Sequence, residues 1–306
     1  MSTGALQSVL NWIHRVRSFV KKIGDGIDRT KKWHRKFAGC LAVLLLLAGL
    51  VSGCQNGKEA ENLPLSVYFY GCSEDADAIL LHVDDTDVII DTGVYQDSER
   101  LVEQMEETGV SQIDLMILTH PDKDHIGGAA KILDRFPVDQ VIQTDAKKGS
   151  DLQGELEARL KTEQVTVPTE VQQYTYGALA LTVYPPKEAE YENTNNYSIA
   201  VLAEYDGRRI FFAGDAKKKR IKELLEEKLP QVDVYKCTHH GRNEGKGTDL
   251  IAKLHPDVAV VTAGAPEEET KRALKTVGAQ VYTTLETDVV VEVTEEEINV
   301  RTVPVS

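Results

Sequence analysis

Two histidines and two aspartates lie within six positions of the chain, in the run HPDKDH over residues 120–125, and two glycines follow at 127 and 128. Neutral imidazole nitrogens and carboxylate oxygens are both good ligands for divalent cations. A solvated loop or a helix cap would account for one or two such residues, whereas a metal site accounts for their density. A metal site in turn favours hydrolysis at an electrophilic carbon or phosphorus atom.

The segments on either side of this run indicate where it lies in the fold. Residues 113–119 form a short apolar run typical of a buried strand, and residues 128–136 have the pattern of a helix. The run therefore belongs to a strand-to-helix loop, where functional side chains are commonly displayed. On an extended loop, His120 and Asp122 would face one point, while Asp124 and His125 would point differently and could serve a second metal.

Three further segments end a predicted strand with an acid or with histidines. They are VIIDTG at 88–93 with Asp91, IFFAGDA at 210–216 with Asp215, and YKCTHHG at 235–241 with His239 and His240. Each segment alone is weak evidence, because Gly-Asp after a strand is usually only a turn. Together with residues 120–125 they place His and Asp at the carboxyl ends of four strands, where sheet proteins gather binding groups.

The motifs DTG, THPDKDHIGG, GDA and HHG resemble those of the metallo-β-lactamase superfamily. Within it, the chain is most similar to the extracellular hydrolase domain of the ComEC competence-protein family, which the segment NNYSI at 195–199 also resembles. The resemblance covers residues 65–303. It implies an α/β (α+β) fold, a four-layer αββα sandwich in which helices flank two mixed sheets.

The resemblance also implies two divalent metal ions and a role for each matching side chain. The ligands would be His120 and Asp122 for the first ion, Asp124, His125 and His240 for the second, and Asp215 as a bridge. Asp91 would orient the loop that carries the ligands. The superfamily's usual middle histidine has no match, since that region holds asparagines, so the first ion lacks a nitrogen ligand. Zinc is the expected metal, and an oxygen-richer site would also suit manganese or iron.

With such ions the resemblance implies hydrolysis by a metal-bridging hydroxide, because bound zinc lowers the pKa of water from about 15.7 to about 7. Asp124 and His239 are then the expected catalytic residues. His239 would donate a proton to the leaving group, or would simply be a histidine at a strand end. The candidates to hold a substrate phosphate or carboxylate are Asn196, Ser198 and Arg242. The ComEC-like branch often has serine where Arg242 stands.

The N-terminal segment, residues 1–53, predicts export to a membrane surface. Basic residues precede an apolar stretch at 37–52, which is shorter than the roughly 20 residues of a spanning helix. The stretch ends in small residues before Cys54, and this resembles a bacterial lipoprotein signal with Cys54 as the lipid-attachment site. Residues 54–64 would link lipid and fold on the outer face of the cytoplasmic membrane. An uncleaved signal-anchor is the alternative.

Charge is distributed unevenly along the chain. Residues 1–53 hold nine basic and two acidic residues, which leaves 26 basic and 47 acidic residues and a net charge of −21 for the remainder. A body this acidic repels a phosphate backbone at long range, which disfavours a protein that grips duplex nucleic acid. Bound divalent cations would reverse the negative electrostatic field at the site. The acidic body is therefore compatible with a phosphoester substrate.

The four cysteines do not predict a disulfide framework. Cys40 lies in the apolar stretch and Cys54 is the expected lipid site. Cys72 and Cys237 are expected to be buried free thiols, with a single bridge as the alternative.

These observations predict a membrane-anchored, metal-dependent hydrolase of phosphodiester or related ester bonds. Its substrate would be extracellular nucleic acid or a phosphorylated cell-wall polymer. A second hypothesis is hydrolysis of a carbon ester, lactone or β-lactam. A third is a lipoprotein that binds a ligand on the same fold without turnover, and the missing histidine keeps this hypothesis open. The sequence does not predict an oligomeric state.

Overall fold

The computed structural model of the chain describes residues 63–285 and 287–305. The predicted export signal, the lipid site at Cys54 and most of the predicted linker lie outside the described residues. Strands within the described part run from Leu65 to Pro304.

Fifteen strands and seven α-helices make up the part of the chain that the structure describes. The strands are β1 (Leu65–Phe69), β2 (Ala78–Val83), β3 (Thr86–Thr92), β4 (Ile113–Leu118), β5 (Val138–Gln143), β6 (Val165–Thr166), β7 (Gln172–Tyr176), β8 (Leu179–Tyr184), β9 (Ala200–Tyr205), β10 (Arg208–Phe212), β11 (Val234–Lys236), β12 (Val258–Val261), β13 (Gln280–Thr283), β14 (Thr287–Val293) and β15 (Ile298–Pro304). The helices are α1 (Ser98–Thr108), α2 (Lys123–Ile126), α3 (Ala129–Arg135), α4 (Asp151–Glu157), α5 (Lys218–Glu226), α6 (Gly247–Leu254) and α7 (Glu268–Val277).

The strands form two mixed sheets. The first has the order β15-β14-β1-β2-β3-β4-β5-β6, and the second has the order β13-β12-β11-β10-β9-β8-β7. Neighbours from β3 to β6 are parallel, as are neighbours from β10 to β13, and the other pairs are antiparallel. Parallel strands need crossover connections, which here contain α1 to α4 in one half and α5 to α7 in the other.

Three apolar clusters hold the layers together. Alternate side chains of a strand face opposite sides, so Ile90 packs between the sheets while Ile89 packs against the helices. The second sheet does the same, with Phe212 facing the first sheet and Phe211 facing the helical layer. Central strands are therefore covered on both faces, which explains their nearly continuous apolar sequences. The predicted four-layer αββα fold is confirmed.

The helices follow from simple local signals. In α1, Leu101, Val102 and Met105 are buried on one face, and the helix ends where Gly109 adopts a left-handed φ of 98°. Glycine has no Cβ to clash in this conformation, so it is the usual residue just after a helix. None of the helices in the described ranges is both long and apolar enough to cross a membrane.

Two predicted segments differ from the structure. The sequence pattern predicts a helix over residues 151–162, but this helix ends at Glu157, because the chain must become extended at Val165 to pair with β5. The loop predicted over residues 120–125 is not extended throughout, because α2 begins immediately after Asp122. Asp124 and His125 therefore lie on one helical turn and not on alternate sides of an extended strand.

Cys72 and Cys237 are buried free thiols, as expected. Burial in apolar surroundings raises the pKa of each thiol to about 12. Both are therefore held protonated and unreactive near neutral pH.

Candidate metal centre

The carboxyl ends of the parallel strands in both sheets lead into one cluster of side chains. Its members are Asp124 and His125 from α2, Asp215 just after β10, and His240 just after β11, and one ligand atom from each lies within 4.8 Å of the others. His125 Nε2 is 3.2 Å from Asp215 Oδ1, and His240 Nε2 is 3.3 Å from Asp215 Oδ2. Asp124 Oδ2 is 3.4 Å from His240 Nε2. Such separations suit ligands that each lie about 2.0–2.2 Å from a shared cation.

Three buried atoms of this cluster have no hydrogen-bond partner in the described part of the chain: His125 Nε2, His240 Nε2 and Asp215 Oδ1. The buried His120 Nε2, beside the cluster, also has none. Each buried polar atom without a partner costs about 1–3 kcal/mol, and native proteins rarely leave several of them side by side. A bound cation would satisfy them together, so the residues present fit a divalent metal.

Negative charge in the cluster also favours a cation. Burial by itself lowers the pKa of both imidazoles, but Asp215 and Asp91 raise the pKa of His125 well above its usual value. Asp215 and Asp77 similarly raise the pKa of His240 to about 10. The carboxylates therefore draw protons onto the two rings. A divalent cation would take the place of those protons, because metal ligands must be deprotonated to bind.

Asp91 lies behind His125 and fixes the orientation of its ring. Asp91 Oδ2 accepts hydrogen bonds from His125 Nδ1 at 2.7 Å and from Thr119 Oγ1 at 2.7 Å, and Oδ1 accepts one from Thr119 N at 2.8 Å. With Nδ1 turned toward a carboxylate, Nε2 is the nitrogen that faces the cluster. Asp91 has a left-handed φ of 56°, which is a strained conformation for a residue within a strand.

Two glycines bring α2 close to the end of β3. A Cβ built on Gly127 would lie 2.7 Å from Gly93 O, and one on Gly128 would lie 2.5 Å from Thr92 O. Both glycines have ordinary helical backbone angles. The close approach of α2 to the end of β3 therefore requires glycine at both positions.

A buried network behind His240 was not predicted. His240 Nδ1 lies 2.9 Å from Thr262 Oγ1, which donates to Asp77 Oδ1 at 2.6 Å, and Lys236 Nζ donates to the other oxygen of Asp77. Since Thr262 gives its proton to Asp77, its oxygen accepts from His240 Nδ1, and Nε2 again faces the cluster. The sequence signal that could have revealed this network is a lysine between the apolar residues Tyr235 and Cys237.

The residues predicted for the first metal lie beside the cluster. The ring of His120 is 4.1 Å from that of His125, and His120 Nε2 is 4.0 Å from Asp122 Oδ2. Asp122 Oδ1 already forms an ion pair with Lys148 Nζ at 2.8 Å. In the segment without the middle histidine, Asn195 Nδ2 donates to Asp215 Oδ2 at 3.2 Å. The ligand atoms around Asp215 thus lie closer together than those of His120 and Asp122.

His239 and His240 have different hydrogen-bond partners, although the Nε2 atoms of both lie near Asp215 Oδ2, at 3.7 and 3.3 Å. His239, His240 and Gly241 all have left-handed φ angles, of 47°, 53° and 84°, which direct the two rings differently. His239 Nδ1 hydrogen-bonds Glu244 Oε1, and Nε2 lies 2.9 Å from Arg242 Nη1. Arginine only donates, so Nε2 accepts and the ring proton lies on Nδ1. In this arrangement Nε2 holds no proton for a leaving group.

The three candidate substrate-binding residues have different surroundings. Ser198 is fully buried, and its Oγ accepts a hydrogen bond from Asp215 N at 3.0 Å, so it positions a ligand and does not reach the surface where we expected substrate contact. Asn196 Oδ1 accepts from Arg220 N at 3.3 Å at the start of α5. Arg242 is half-exposed and bridges His239 and Asp75, whose Oδ2 accepts from Nη2 at 3.0 Å.

Comparison with known proteins agrees with this geometry. The family described as the Metallo-beta-lactamase superfamily matches residues 74–264. The chain is 29% identical over 163 residues to ComE operon protein 3 of Bacillus subtilis. That match covers 51% of this chain and 20% of that protein. It is 26% identical over 152 residues to Recombination protein 2 of Haemophilus influenzae. That match covers 50% of this chain and 18% of that protein. The chain spans about a fifth of the length of these relatives.

Two solved structures share the fold. The metallo-beta-lactamase fold protein YhfI from Bacillus subtilis has a TM-score of 0.50 at 12% identity and covers 78% of this chain and 100% of its own. CmlA beta-hydroxylase has a TM-score of 0.53 at 13% identity and covers 75% of this chain and 54% of its own. At these identities the similarity concerns the fold alone.

Proposed function

The chain belongs to the metallo-beta-lactamase superfamily, and we propose that it is a metal-dependent hydrolase of phosphodiester or related ester bonds. The observation that carries the proposal is the convergence of Asp124, His125, Asp215 and His240, with unpartnered buried atoms directed at one point. The similarity of half the chain to two ComEC-like proteins supports it.

The residues of the chain would hold and orient the metal. Asp124, His125, Asp215 and His240 would bind it, while Asp91 and Thr262 fix the two imidazoles through their Nδ1 atoms. A bound divalent ion would supply an ionised water and would neutralise negative charge that develops on the reacting group. Zinc suits the mixed nitrogen and oxygen ligands, and manganese or iron suits any further ion beside Asp122.

Arg242 and His239 would handle the substrate. A guanidinium matches the oxygens of a phosphate, and Arg242 is half-exposed beside the cluster. When Arg242 donates to a phosphate oxygen, His239 Nε2 loses its donor and is free to take up a proton. Glu244, which accepts from Nδ1, holds the ring so that Nε2 lies 3.7 Å from Asp215 Oδ2. His239 could then donate from Nε2 to a leaving-group oxygen that lies next to Asp215.

The charge of the body limits the choice of substrate. The net charge of −21 outside residues 1–53 disfavours a long duplex, which would need many cationic contacts. A single-stranded nucleic acid or a phosphorylated cell-wall polymer would present one phosphodiester to the metal without such contacts. The substrate we propose is therefore an extended, flexible phosphodiester.

One observation favours a second candidate, a binding protein without turnover. Lys148 forms an ion pair with Asp122, a residue predicted to bind the first metal. The ammonium group of Lys148 at that position would compete with a second cation. If hydrolysis needs two ions, this chain would bind an anionic ligand without cleaving it.

The experiment is a metal count and a substrate panel on the purified body. Bound divalent ions with turnover of bis-p-nitrophenyl phosphate are expected. Turnover of nitrocefin or a lactone without phosphodiesterase activity would instead identify a carbon-ester hydrolase. Absence of activity with added zinc, manganese or iron would leave the binding protein as the better description.

Anchoring by lipid is the second part of the proposal. A basic segment, an apolar stretch and small residues before Cys54 support attachment at the outer face of the cytoplasmic membrane. Cys54→Ala should leave the protein unprocessed or release it from membranes, whereas Cys40→Ala, within the apolar stretch, should not. A lipid-labelled, processed Cys54→Ala product would contradict attachment at this residue.

A further inference from the structure

A cavity of about 370 Å³ lies beside the metal centre, and the proposed reaction does not use it. Its lining includes Asn196, Lys217, Lys218, Lys219 and Glu244. The volume falls in the range of roughly 300–1,000 Å³ that is usual for small-ligand sites. The cavity is therefore large enough for a phosphate group and part of its attached sugar or polyol.

The segments that build the metal centre also build this cavity. Asn195 donates to Asp215, and the next residue, Asn196, lines the cavity. Lys217 follows Asp215 by two residues. Glu244 hydrogen-bonds His239 and also lines the cavity. A substrate held at the metal would consequently have its neighbouring groups next to these lysines.

The charge of the cavity differs from that of the rest of the body. Three consecutive lysines lie on one wall, although acidic residues outnumber basic ones in the body as a whole. Lys217 Nζ is 3.6 Å from Glu244 Oε1, and Lys219 Nζ is 3.1 Å from Glu188 Oε2. Lys218 is exposed, and its Nζ has no ion pair or hydrogen bond with any residue of the described ranges. Its ammonium group is thus available to a ligand.

Carboxylates pair with two of the three lysines. Glu244 faces Lys217 and also accepts from His239, and Glu188 pairs with Lys219. Glu192 lines the cavity as well, so three glutamates balance the three lysines. The attraction for a small anion therefore comes from Lys218 and the nearby N–H donors and not from a net positive charge, and salt screens the exposed charges further.

Asn196 and the first turn of α5, which line the cavity, offer two further kinds of donor. Asn196 is only 8% exposed and its Oδ1 accepts from Arg220 N, but its Nδ2 amide finds no acceptor among the residues that the structure describes. Helix α5 begins at Lys218, has no acidic residue in its first turn, and receives no side-chain cap from Lys217. Its first N–H groups have no acceptor within the helix; that of Arg220 donates to Asn196 Oδ1, which leaves those of Lys218 and Lys219 at the positive end of the helix dipole. Anions bind readily at such a position.

We propose that this cavity binds a phosphate of the substrate next to the one that is cleaved, so that the enzyme prefers a chain of phosphodiesters to a single ester. The inference rests on the proposed hydrolase function and specifies its substrate class. Lys218, the Asn196 amide and the start of α5 provide the contacts. Nucleic acid and glycerol-phosphate polymers share this chemistry.

The test compares two ligands that differ by one phosphate. Thymidine 3′,5′-bisphosphate and thymidine 5′-monophosphate are titrated calorimetrically into the zinc-loaded full chain. The bisphosphate should bind roughly tenfold more tightly, as expected for one added charge-assisted contact of about 1.4 kcal/mol. Lys218→Ala and Asn196→Asp should each reduce this preference at least threefold. Lys222→Ala, an exposed lysine of α5 that is not part of the cavity lining, should preserve it.

Equal binding of the two ligands by the unmodified chain would overturn the inference, as would a preference that survives Lys218→Ala. Neither ligand has to be cleaved, so a clear preference without any phosphodiesterase activity would reject the proposed hydrolase function alone. A short oligothymidylate and a glycerol-phosphate oligomer, each compared with its monophosphate unit, would then identify the source. If neither oligomer binds more tightly than its unit, the polymer preference is rejected.

Discussion

Lys236 donates a hydrogen bond from Nζ to Asp77 directly behind the candidate metal centre. Both side chains are 1% exposed. Burial by itself lowers the pKa of Lys236, but Asp77 and Asp215 outweigh it and raise the pKa above its usual value. The ammonium group therefore stays charged inside the protein and balances part of the negative charge of the carboxylates.

Replacing Lys236 by methionine should destabilise the fold by about 3–5 kcal/mol, because the change leaves Asp77 buried without its cation. Urea unfolding at fixed zinc concentration measures the loss. Lys222→Met is the matched control on an exposed position and should change the free energy of unfolding by less than about 0.5 kcal/mol. Equal stability of the two variants would show that Asp77 does not need the lysine.

Asp124→Ala and His240→Ala should each abolish turnover and reduce the bound metal, since each removes one ligand from the cluster. Metal content by mass spectrometry and hydrolysis of bis-p-nitrophenyl phosphate are the measurements. His255→Asn is a suitable control, because His255 is exposed and asparagine tolerates its left-handed φ of 46°. Normal metal content and activity in either alanine variant would refute the assignment.

Ser198→Ala should act on stability and metal binding and not on substrate affinity. The change removes the acceptor for Asp215 N in a fully buried place, which costs about 1–3 kcal/mol. Zinc competition with a chromogenic chelator should show weaker binding, while KM for the phosphodiester stays unchanged. A raised KM with native stability would restore the substrate contact that the sequence suggested.

His82 should make the stability of the fold depend on pH. The hydrogen bond to Asp87, 2.7 Å from His82 Nδ1, raises the pKa of the ring despite partial burial. A raised pKa in the folded state stabilises the protein fully below the unfolded value of about 6.5, and the effect is lost as pH rises through the folded value.

His82→Gln should therefore cost more stability near about pH 5.5 than near about pH 9, by less than about 1 kcal/mol because the pair is partly exposed. Urea unfolding of both proteins at the two pH values measures the difference. An equal cost at both values, or a larger cost at the alkaline one, would contradict a charged His82–Asp87 pair.

The fold could be predicted from sequence because its elements have clear local signals. Local sequence patterns predict a helix over residues 98–108 and strands over 138–143 and 179–184, and all three elements occur with those bounds. The limits of α4 were missed, since pairing of β6 with β5 ends that helix and pairing is not a local property. Likewise, α2 begins within residues 120–125, which the sequence predicted to be an extended loop.

The metal ligands of the candidate site could be predicted from the sequence. The residues that hold those ligands in place were harder to predict. Asp124, His125, Asp215 and His240 carry recognisable motifs, and the structure brings them together. Asp77 belongs to no such motif, and its partners Thr262 and Lys236 are far from it along the chain. The sequence suggested Ser198 as a substrate contact, but the three-dimensional packing buries it against Asp215. Long-range contacts of this kind cannot be deduced from spacing.

The ligands of the centre come from two sheets that share no strand. Asp124 and His125 follow the first sheet's β4, whereas Asp215 and His240 follow the second sheet's β10 and β11. An ion bound by all four ligands would cross-link the two sheets at one edge of the sandwich. Heat resistance should consequently increase with the logarithm of free metal concentration above the dissociation constant. The supply of trace metal around the protein would thus govern its lifetime as well as its activity.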